Sequence, residues 1–169
     1  SNALLTTVDF STLASVGGSI SLSNNALLTT VDFSMLVTVV SNLSVSNSPV
    51  STLTVSNLAS VGGQVSLSAT SMTSLLAPEL VAVGSLYIQS NPSLTSVALT
   101  TLESIANALT VSSNAALTSI EAPALTSVGS HFNIFSNPMY PTCRAQALRS
   151  QLTSSPANVA IYSNDSTAT

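Results

Sequence analysis

Two carboxylates, Asp9 and Asp32, form the nearest approach to a catalytic pair in this sequence. They stand at equivalent positions of two near-identical segments, residues 2–10 and 25–33, and stacking of those segments would place them about 4.8 Å apart. Such a pair can act as acid and base or hold a cation. The equivalent positions in later copies are Thr54, Leu76, Ala98 and Glu121. Because no third ligand or partner accompanies them, we interpret the two aspartates as a solvated surface pair.

The other reactive residue types are isolated from one another. His131 is the only histidine, and its equivalent positions carry no carboxylate or thiol with which to build a metal site or a catalytic triad. The many serines have no base within reach, so they are hydroxyls rather than nucleophiles. Cys143 is the only cysteine and, on a predicted helix, is interpreted as a small buried apolar residue. The sequence therefore predicts no enzyme activity, no cofactor and no metal site.

A repeat of 22 or 23 residues positions all of these side chains. The residues at one position of the repeat are called a column below. One apolar column is Leu13, Leu36, Leu58, Leu80, Leu102 and Leu125. A second, three residues later, is Val16, Val39, Val61, Val83, Ile105 and Val128. A single copy is too small to bury such residues, so the copies must stack on one another.

The predicted fold is mainly β, a right-handed parallel β-solenoid with a C-terminal capping helix and strand. Alternation of apolar residues with Ser and Thr is typical of short strands with one buried face. Glycines such as Gly17 and Gly62 are expected at corners. The six coils of 22–23 residues are predicted as 2–24, 25–47, 48–70, 71–91, 92–114 and 115–137, the fourth shortened near Gly84.

A polar column is expected to stabilise one corner of each coil. Asparagine side chains there can hydrogen-bond their own turn and the equivalent residue of the next coil, which is a structural role. The column is Asn2, Asn25, Asn91, Asn114 and Asn137, with Ser48 and Thr70 in the middle coils.

The repeat pattern breaks near residue 138. Behind Pro141, residues 142–152 carry apolar side chains at helical spacing, and residues 158–162 are predicted as one last strand. We therefore divide the chain into a solenoid array, residues 1–137, and a capping segment, residues 138–169, within one continuous domain.

Composition excludes several classes of partner. Only 5% of the residues are charged, against roughly 25% in average soluble proteins, and the net charge is −4. Two basic residues, Arg144 and Arg149, cannot neutralise a run of phosphates, so no nucleic acid or anionic membrane surface is expected as a partner. No apolar run reaches the roughly 18 residues of a spanning helix, so no membrane insertion is expected. Since no positively charged, apolar leader opens the sequence, a secretion signal is expected to have been removed or to lie outside it.

The repeat unit also resembles a known family. Residues 13–22, LASVGGSISL, and their copies resemble the receptor L-domain-like leucine-rich repeats of bacterial secreted or surface proteins. Residues 137–148 and 163–169 resemble the closing module of such proteins, so the resemblance covers essentially the whole chain. It implies a leucine-rich-repeat-like solenoid in a secreted or cell-envelope protein, with no catalytic motif to carry over. Relatives tend to have a second cysteine soon after the last strand, so Cys143 either remains a thiol or pairs with a cysteine beyond Thr169.

Two surfaces are left for function. Hydroxyl residues fill two adjacent columns, named here the hydroxyl ladder. The ladder is Thr6, Thr29, Ser51, Thr73, Thr95 and Thr118, followed by Thr7, Thr30, Thr52, Ser74, Ser96 and Ser119. A second face is mostly serine but gains larger side chains toward the C-terminus, which suit contact with a sugar or a protein. This candidate recognition patch is Tyr87, Gln89, His131, Asn133 and Phe135.

Three functions compete for these surfaces. The first is a non-catalytic extracellular or cell-envelope binding or adhesion module, which presents a flat Ser/Thr-rich β face or the recognition patch to a glycan or a surface protein. The second is ice binding through the hydroxyl ladder, as in several unrelated antifreeze proteins with flat threonine-rich solenoid faces. The third is a structural spacer. Against ice binding, Thr6 and Thr7 are adjacent, so one hydroxyl of each pair must turn away from the face.

Overall fold

The computed structural model describes residues 2–167, which wind into a parallel β-solenoid of about seven turns. Helix α1 (Thr142–Ser150) lies between the last two strands. The strands are β1 (Thr7–Asp9), β2 (Ser15–Val16), β3 (Ile20–Ser23), β4 (Thr30–Asp32), β5 (Thr38–Val39), β6 (Leu43–Ser46), β7 (Thr52–Thr54), β8 (Ser60–Ser68), β9 (Ser74–Leu76), β10 (Ala82–Gln89), β11 (Ser96–Ala98), β12 (Ser104–Ile105), β13 (Ala108–Ser112), β14 (Ser119–Glu121), β15 (Ser127–Val128), β16 (His131–Phe135) and β17 (Asn158–Tyr162). The prediction of a parallel β-solenoid is confirmed.

Equivalent strands of successive coils pair side by side and form two faces. The wide face is one eleven-stranded sheet that runs from β2 and β3 at one end to β17 at the other. The narrow face consists of two separate three-stranded sheets, β1-β4-β7 and β9-β11-β14. The pairing is parallel and follows the repeat, so that Val8 lies beside Val31 and Val97 beside Ile120. The columns of the sequence are therefore rows of lateral neighbours in the fold.

Both apolar columns face the interior and form one continuous core. Leu36, Leu102 and Val128 are fully buried. Their first-coil equivalents, Leu13 and Val16, are only partly buried, because they have packed neighbours on one side alone. Burial thus depends on stacking and not on any single repeat.

The capping segment both covers the array and extends it. Helix α1 begins after Pro141 and turns Ala145 and Leu148 into the core, which confirms the predicted helix. Cys143 lies on the opposite side of this helix and is exposed, so its interpretation as a buried residue was wrong. Strand β17 is also confirmed, and it pairs with β16 in the register of the repeat. Because β17 adds one more strand to the stack, the solenoid has about seven turns, one more than the six predicted coils.

The asparagine corner forms a buried hydrogen-bonded column, as predicted. Asn91 Oδ1 accepts the backbone N–H of Thr70 at 3.0 Å, and Asn114 Oδ1 accepts that of Asn91 at 3.1 Å. The column extends beyond the predicted set, because Asn164 Oδ1 accepts the N–H of Asn137 at 3.1 Å. These amides take up backbone groups that would otherwise be buried without partners.

The prediction of corner glycines is wrong for Gly62 and Gly84, whereas Gly17 and Gly129 lie in bends between two strands. Gly62 lies inside β8 and Gly84 inside β10, where the register shifts between Val83 and Ser85 to absorb the missing residue. Left-handed backbone occurs instead on the residue that precedes the asparagine column in each turn: Asn24, Asn47, Ala69, Ser90, Ser113, Ser136 and Ser163. Contacts with neighbouring turns hold this conformation even at Ala69, where it costs about 1 kcal/mol.

Candidate binding surfaces

Four of the six hydroxyls in the first column of the hydroxyl ladder are bonded to the backbone of the preceding coil. Thr29 Oγ1 donates to the carbonyl of Thr6 at 3.3 Å, and Thr95 Oγ1 donates to the carbonyl of Thr73 at 2.8 Å. Two further hydroxyls of the column make the same bond to the preceding coil. These protons therefore tie one coil to the next, and they are not available to an external ligand.

The second column of the hydroxyl ladder faces outward but is interrupted. Its residues lie side by side within each narrow sheet, and each is exposed or half-buried. The two narrow sheets do not pair with each other, so the column breaks between Thr52 and Ser74. The outward position two residues later is occupied by Asp9, Asp32, Thr54, Leu76, Ala98 and Glu121. The narrow face thus offers one broken hydroxyl column instead of two parallel ones.

Asp9 and Asp32 lie side by side on paired strands, but each carboxylate accepts a hydrogen bond from the turn that follows its own strand. Asp9 Oδ1 accepts the N–H of Ser11 at 3.0 Å, and Asp32 Oδ1 accepts that of Ser34 at 2.8 Å. Hydrogen bonds from the Ser11 side chain and backbone lower the pKa of Asp9 below its ordinary value. Within residues 2–167, no group of three or more His, Cys, Asp and Glu side chains is placed to hold a metal ion. Each of the two aspartates therefore caps the turn that follows its own strand.

The recognition patch lies on the wide face, where the structure divides it between two strands. Tyr87 and Gln89 lie on β10, whereas the other three residues lie on β16. Strand β13 runs between them, so the two groups are roughly 9.6 Å apart at the backbone. The intervening outward residues, Thr110 and Ser112, are buried beneath their larger neighbours. Gln89 Nε2 lies 3.3 Å from Ser112 Oγ and helps to cover it.

Sequence reasoning missed an aromatic residue of this surface. The Tyr162 ring on β17 stacks on the Phe135 ring, with centroids 5.0 Å apart and planes inclined by 16°. Tyr162 is 54% exposed, so the stacked pair presents one open ring face at the end of the wide sheet. Extending the columns into residues 158–162 would have placed Tyr162 beside Phe135.

His131 lies at the edge of the same surface. The ring is exposed, with Nδ1 3.0 Å from Ser130 Oγ and Nε2 3.3 Å from the side-chain nitrogen of Asn158. Asn158 is the residue of β17 that pairs with His131 in the repeat register. His131 lies four residues from Phe135 along β16, about 13 Å away at the backbone, so the imidazole shares the face with the stacked rings without bordering them.

A groove separates helix α1 from the last narrow-face strand, β14. Its volume is about 420 Å³, and Tyr140 lies at its base. The Tyr140 side chain is fully buried, and its hydroxyl has no hydrogen-bond partner. Burial raises the pKa of Tyr140 to about 12, although the nearby Arg144 guanidinium acts in the opposite direction.

Replacing Tyr140 with phenylalanine is expected to stabilise the protein by about 1–2 kcal/mol, because it removes a buried donor without a partner. In the parent chain, the unfolded state loses the Tyr140 proton near pH 10 while the folded state keeps it until about pH 12. Stability is therefore full below pH 10 and falls, by about 2 kcal/mol, between pH 10 and 12.

Urea unfolding measured from pH 8 to pH 12 tests both expectations. The alkaline loss should shrink in Tyr140→Phe and persist in Tyr162→Phe, since Tyr162 is exposed. An unchanged alkaline loss in Tyr140→Phe would assign the effect to another group.

The fold defines a class, namely the parallel β-solenoid repeat proteins. The chain matches no protein-family model, no curated protein and no solved structure. Within residues 2–167, no helix has the length and apolar character needed to cross a membrane. Function therefore has to be inferred from the chemistry of the surfaces themselves.

Proposed function

We propose that this protein is a non-catalytic recognition or adhesion module that binds a glycan through the C-terminal end of its wide face. The stacked Phe135–Tyr162 pair carries the proposal, because Tyr162 is exposed on the last strand of the wide sheet. Aromatic residues on such a surface are the side chains most often found at binding hot spots. A surface protein is the alternative ligand of the same patch.

The polar surroundings of the rings favour a sugar. Asn133 lies two residues from Phe135 on β16, and Gln89 lies in the row of Phe135 two strands away, so both amides border the apolar plane. A pyranose likewise has an apolar face bordered by hydroxyls. Few charges lie on the chain, which suits a neutral ligand better than an ionic one. A secreted or cell-envelope location, in line with the resemblance to receptor L-domain-like leucine-rich repeats, would bring the patch into contact with such glycans.

Screening on a glycan array tests the proposal. The double variant Phe135→Ala, Tyr162→Ala is expected to weaken binding at least about tenfold, which corresponds to about 1.4 kcal/mol. Phe10→Ala is the matched control, because Phe10 is also exposed and stacked, on Phe33, at the opposite end of the molecule. Equal loss in the control, or no loss in the double variant, would contradict a site on this patch.

Ice binding is a second candidate, favoured by the side-by-side hydroxyls of Thr7, Thr30 and Thr52 within one narrow sheet. On this proposal the protein shows thermal hysteresis and inhibits ice recrystallisation, and Thr52→Tyr abolishes both by placing a bulky ring on the narrow face. Ser21→Tyr is the control, since Ser21 is equally exposed but lies on the wide face. Absence of hysteresis at high protein concentration would reject this function, and silence on the glycan array as well would leave the structural spacer.

A further inference from the structure

The groove between α1 and β14 has the properties of a preformed ligand site, separate from the wide face. Its volume of about 420 Å³ falls within the roughly 300–1,000 Å³ of small-molecule sites. Ile120, Ala122 and Leu148 give it an apolar lining. Arg144 and Glu121 supply one charge of each sign from facing elements.

Hydrogen bonds fix the width of this groove. Gln151 Nε2, at the end of α1, donates to the carbonyls of Ala122 at 2.8 Å and Leu125 at 2.9 Å. The Tyr140 N–H donates to the carbonyl of Asn137 at 2.9 Å, which ties the base of the groove to the asparagine column. These bonds hold the backbone of the groove, so a ligand has to order only side chains and little binding energy is lost.

Two side chains in the groove can donate hydrogen bonds to a ligand. The Tyr140 hydroxyl is buried and has no partner. Arg144 is exposed, and no ion pair joins it to Glu121 in the part of the chain that the structure describes. Both groups are donors, and a carboxylate is the acceptor that a guanidinium binds best, often through two parallel hydrogen bonds.

We propose that this groove binds small aliphatic carboxylates. The aliphatic part packs on Ile120, Ala122 and Leu148, and Arg144 pairs with the carboxylate. The Tyr140 hydroxyl gains its missing hydrogen bond when side chains adjust around the ligand, a change that is common on binding. Glu121 repels the carboxylate of the ligand, and this repulsion lowers the affinity. Removing the charge of Glu121 is therefore expected to strengthen binding.

The probes are N-acetyl-leucine, its uncharged amide and octanoate, titrated to millimolar concentration while the amide resonances are followed by NMR. N-acetyl-leucine is expected to shift the signals of residues 120–122 and 144–151, whereas N-acetyl-leucinamide leaves them in place. Octanoate represents a lipid carboxylate, and N-acetyl-leucine represents a peptide C-terminus. The acid that binds more tightly identifies the source of the carboxylate.

Variants assign the interaction to its residues. Arg144→Gln is expected to weaken acid binding at least about tenfold, and Tyr140→Phe about threefold or more. Glu121→Gln should strengthen it about twofold, because a like charge is removed. Arg149→Gln is the matched control, a second arginine in the last turn of α1 that does not line the groove.

Several results would overturn the proposal. They are no shifts with either acid, equal shifts with the amide, or equal affinity in Arg144→Gln and the parent chain. The Phe135→Ala, Tyr162→Ala variant should bind the acids normally, so failure of this site and failure of the glycan site are distinguishable.

Discussion

Replacing Asn114 with alanine is expected to lower the free energy of unfolding by about 3–5 kcal/mol, a large part of the total stability of a typical domain. Asn114 is fully buried, and its amide bonds to Asn91 in the preceding coil and to Asn137 in the following one. Its Oδ1 accepts the backbone N–H of Asn91 at 3.1 Å, and its Nδ2 donates to the carbonyl of Ile88 at 3.0 Å. Alanine would leave both backbone groups buried without partners, and each such group costs about 1–3 kcal/mol.

Two further variants separate this effect from the loss of any asparagine. Asn57→Ala removes an exposed amide that donates to the carbonyl of Ser34 at 2.8 Å, and it should cost less than about 1 kcal/mol. Asn114→Ser should be intermediate, because Ser48 in the third coil shows that a hydroxyl can accept the N–H of the preceding coil. Urea unfolding at constant m-value measures all three. A cost for Asn114→Ala no greater than that of Asn57→Ala would show that the column does not stabilise the stack.

The fold followed from the sequence because each apolar column has one period and one chemistry. Leu36 and its equivalents had to be buried together, and only stacking of the copies allows this. The asparagine corner was predictable for the same reason, since a polar column inside an apolar stack needs partners from neighbouring coils.

The details that the sequence did not predict depend on contacts between coils. Ala69 has no intrinsic preference for left-handed backbone, and the conformation is imposed by the turns on either side. Gly62 resembles a corner glycine, yet it lies within a strand, where the Val40 carbonyl of the preceding coil leaves no room for a Cβ. Neither fact can be deduced from the local residue types.

The candidate sites were predictable to different extents. The register placed Tyr87 and Phe135 on the outer wide face correctly, because strand alternation alone decides which side chains point outward. The groove was not predicted, because it forms where α1 packs beside β14, and the angle of that packing depends on side chains far apart in sequence. The repeat pattern also cannot predict that the Tyr140 hydroxyl is buried without a hydrogen-bond partner.

The second large effect is expected at Gly129, where alanine should cost about 2–3 kcal/mol. A Cβ built there would collide with the carbonyl oxygen of Ala106 and lie 2.9 Å from its carbonyl carbon. The backbone of Ala106 cannot move aside freely, because two hydrogen bonds hold it to the preceding coil. The N–H of Ala106 donates to the carbonyl of Val83 at 2.9 Å, and the N–H of Asn107 donates to the carbonyl of Gly84 at 2.8 Å. The new methyl group therefore has to push two hydrogen-bonded coils apart.

Gly17→Ala is the matched control, because Gly17 follows Val16 as Gly129 follows Val128, yet no atom lies within 4 Å of its added Cβ. Neither glycine has a positive φ, so backbone strain does not enter either case. Gly17→Ala should be neutral or stabilise the protein by about 0.4–1 kcal/mol through the unfolded state. Opposite signs for the same substitution, measured by urea unfolding, would locate the cause in the contact between coils. Similar losses at both positions would instead assign it to the loss of glycine itself.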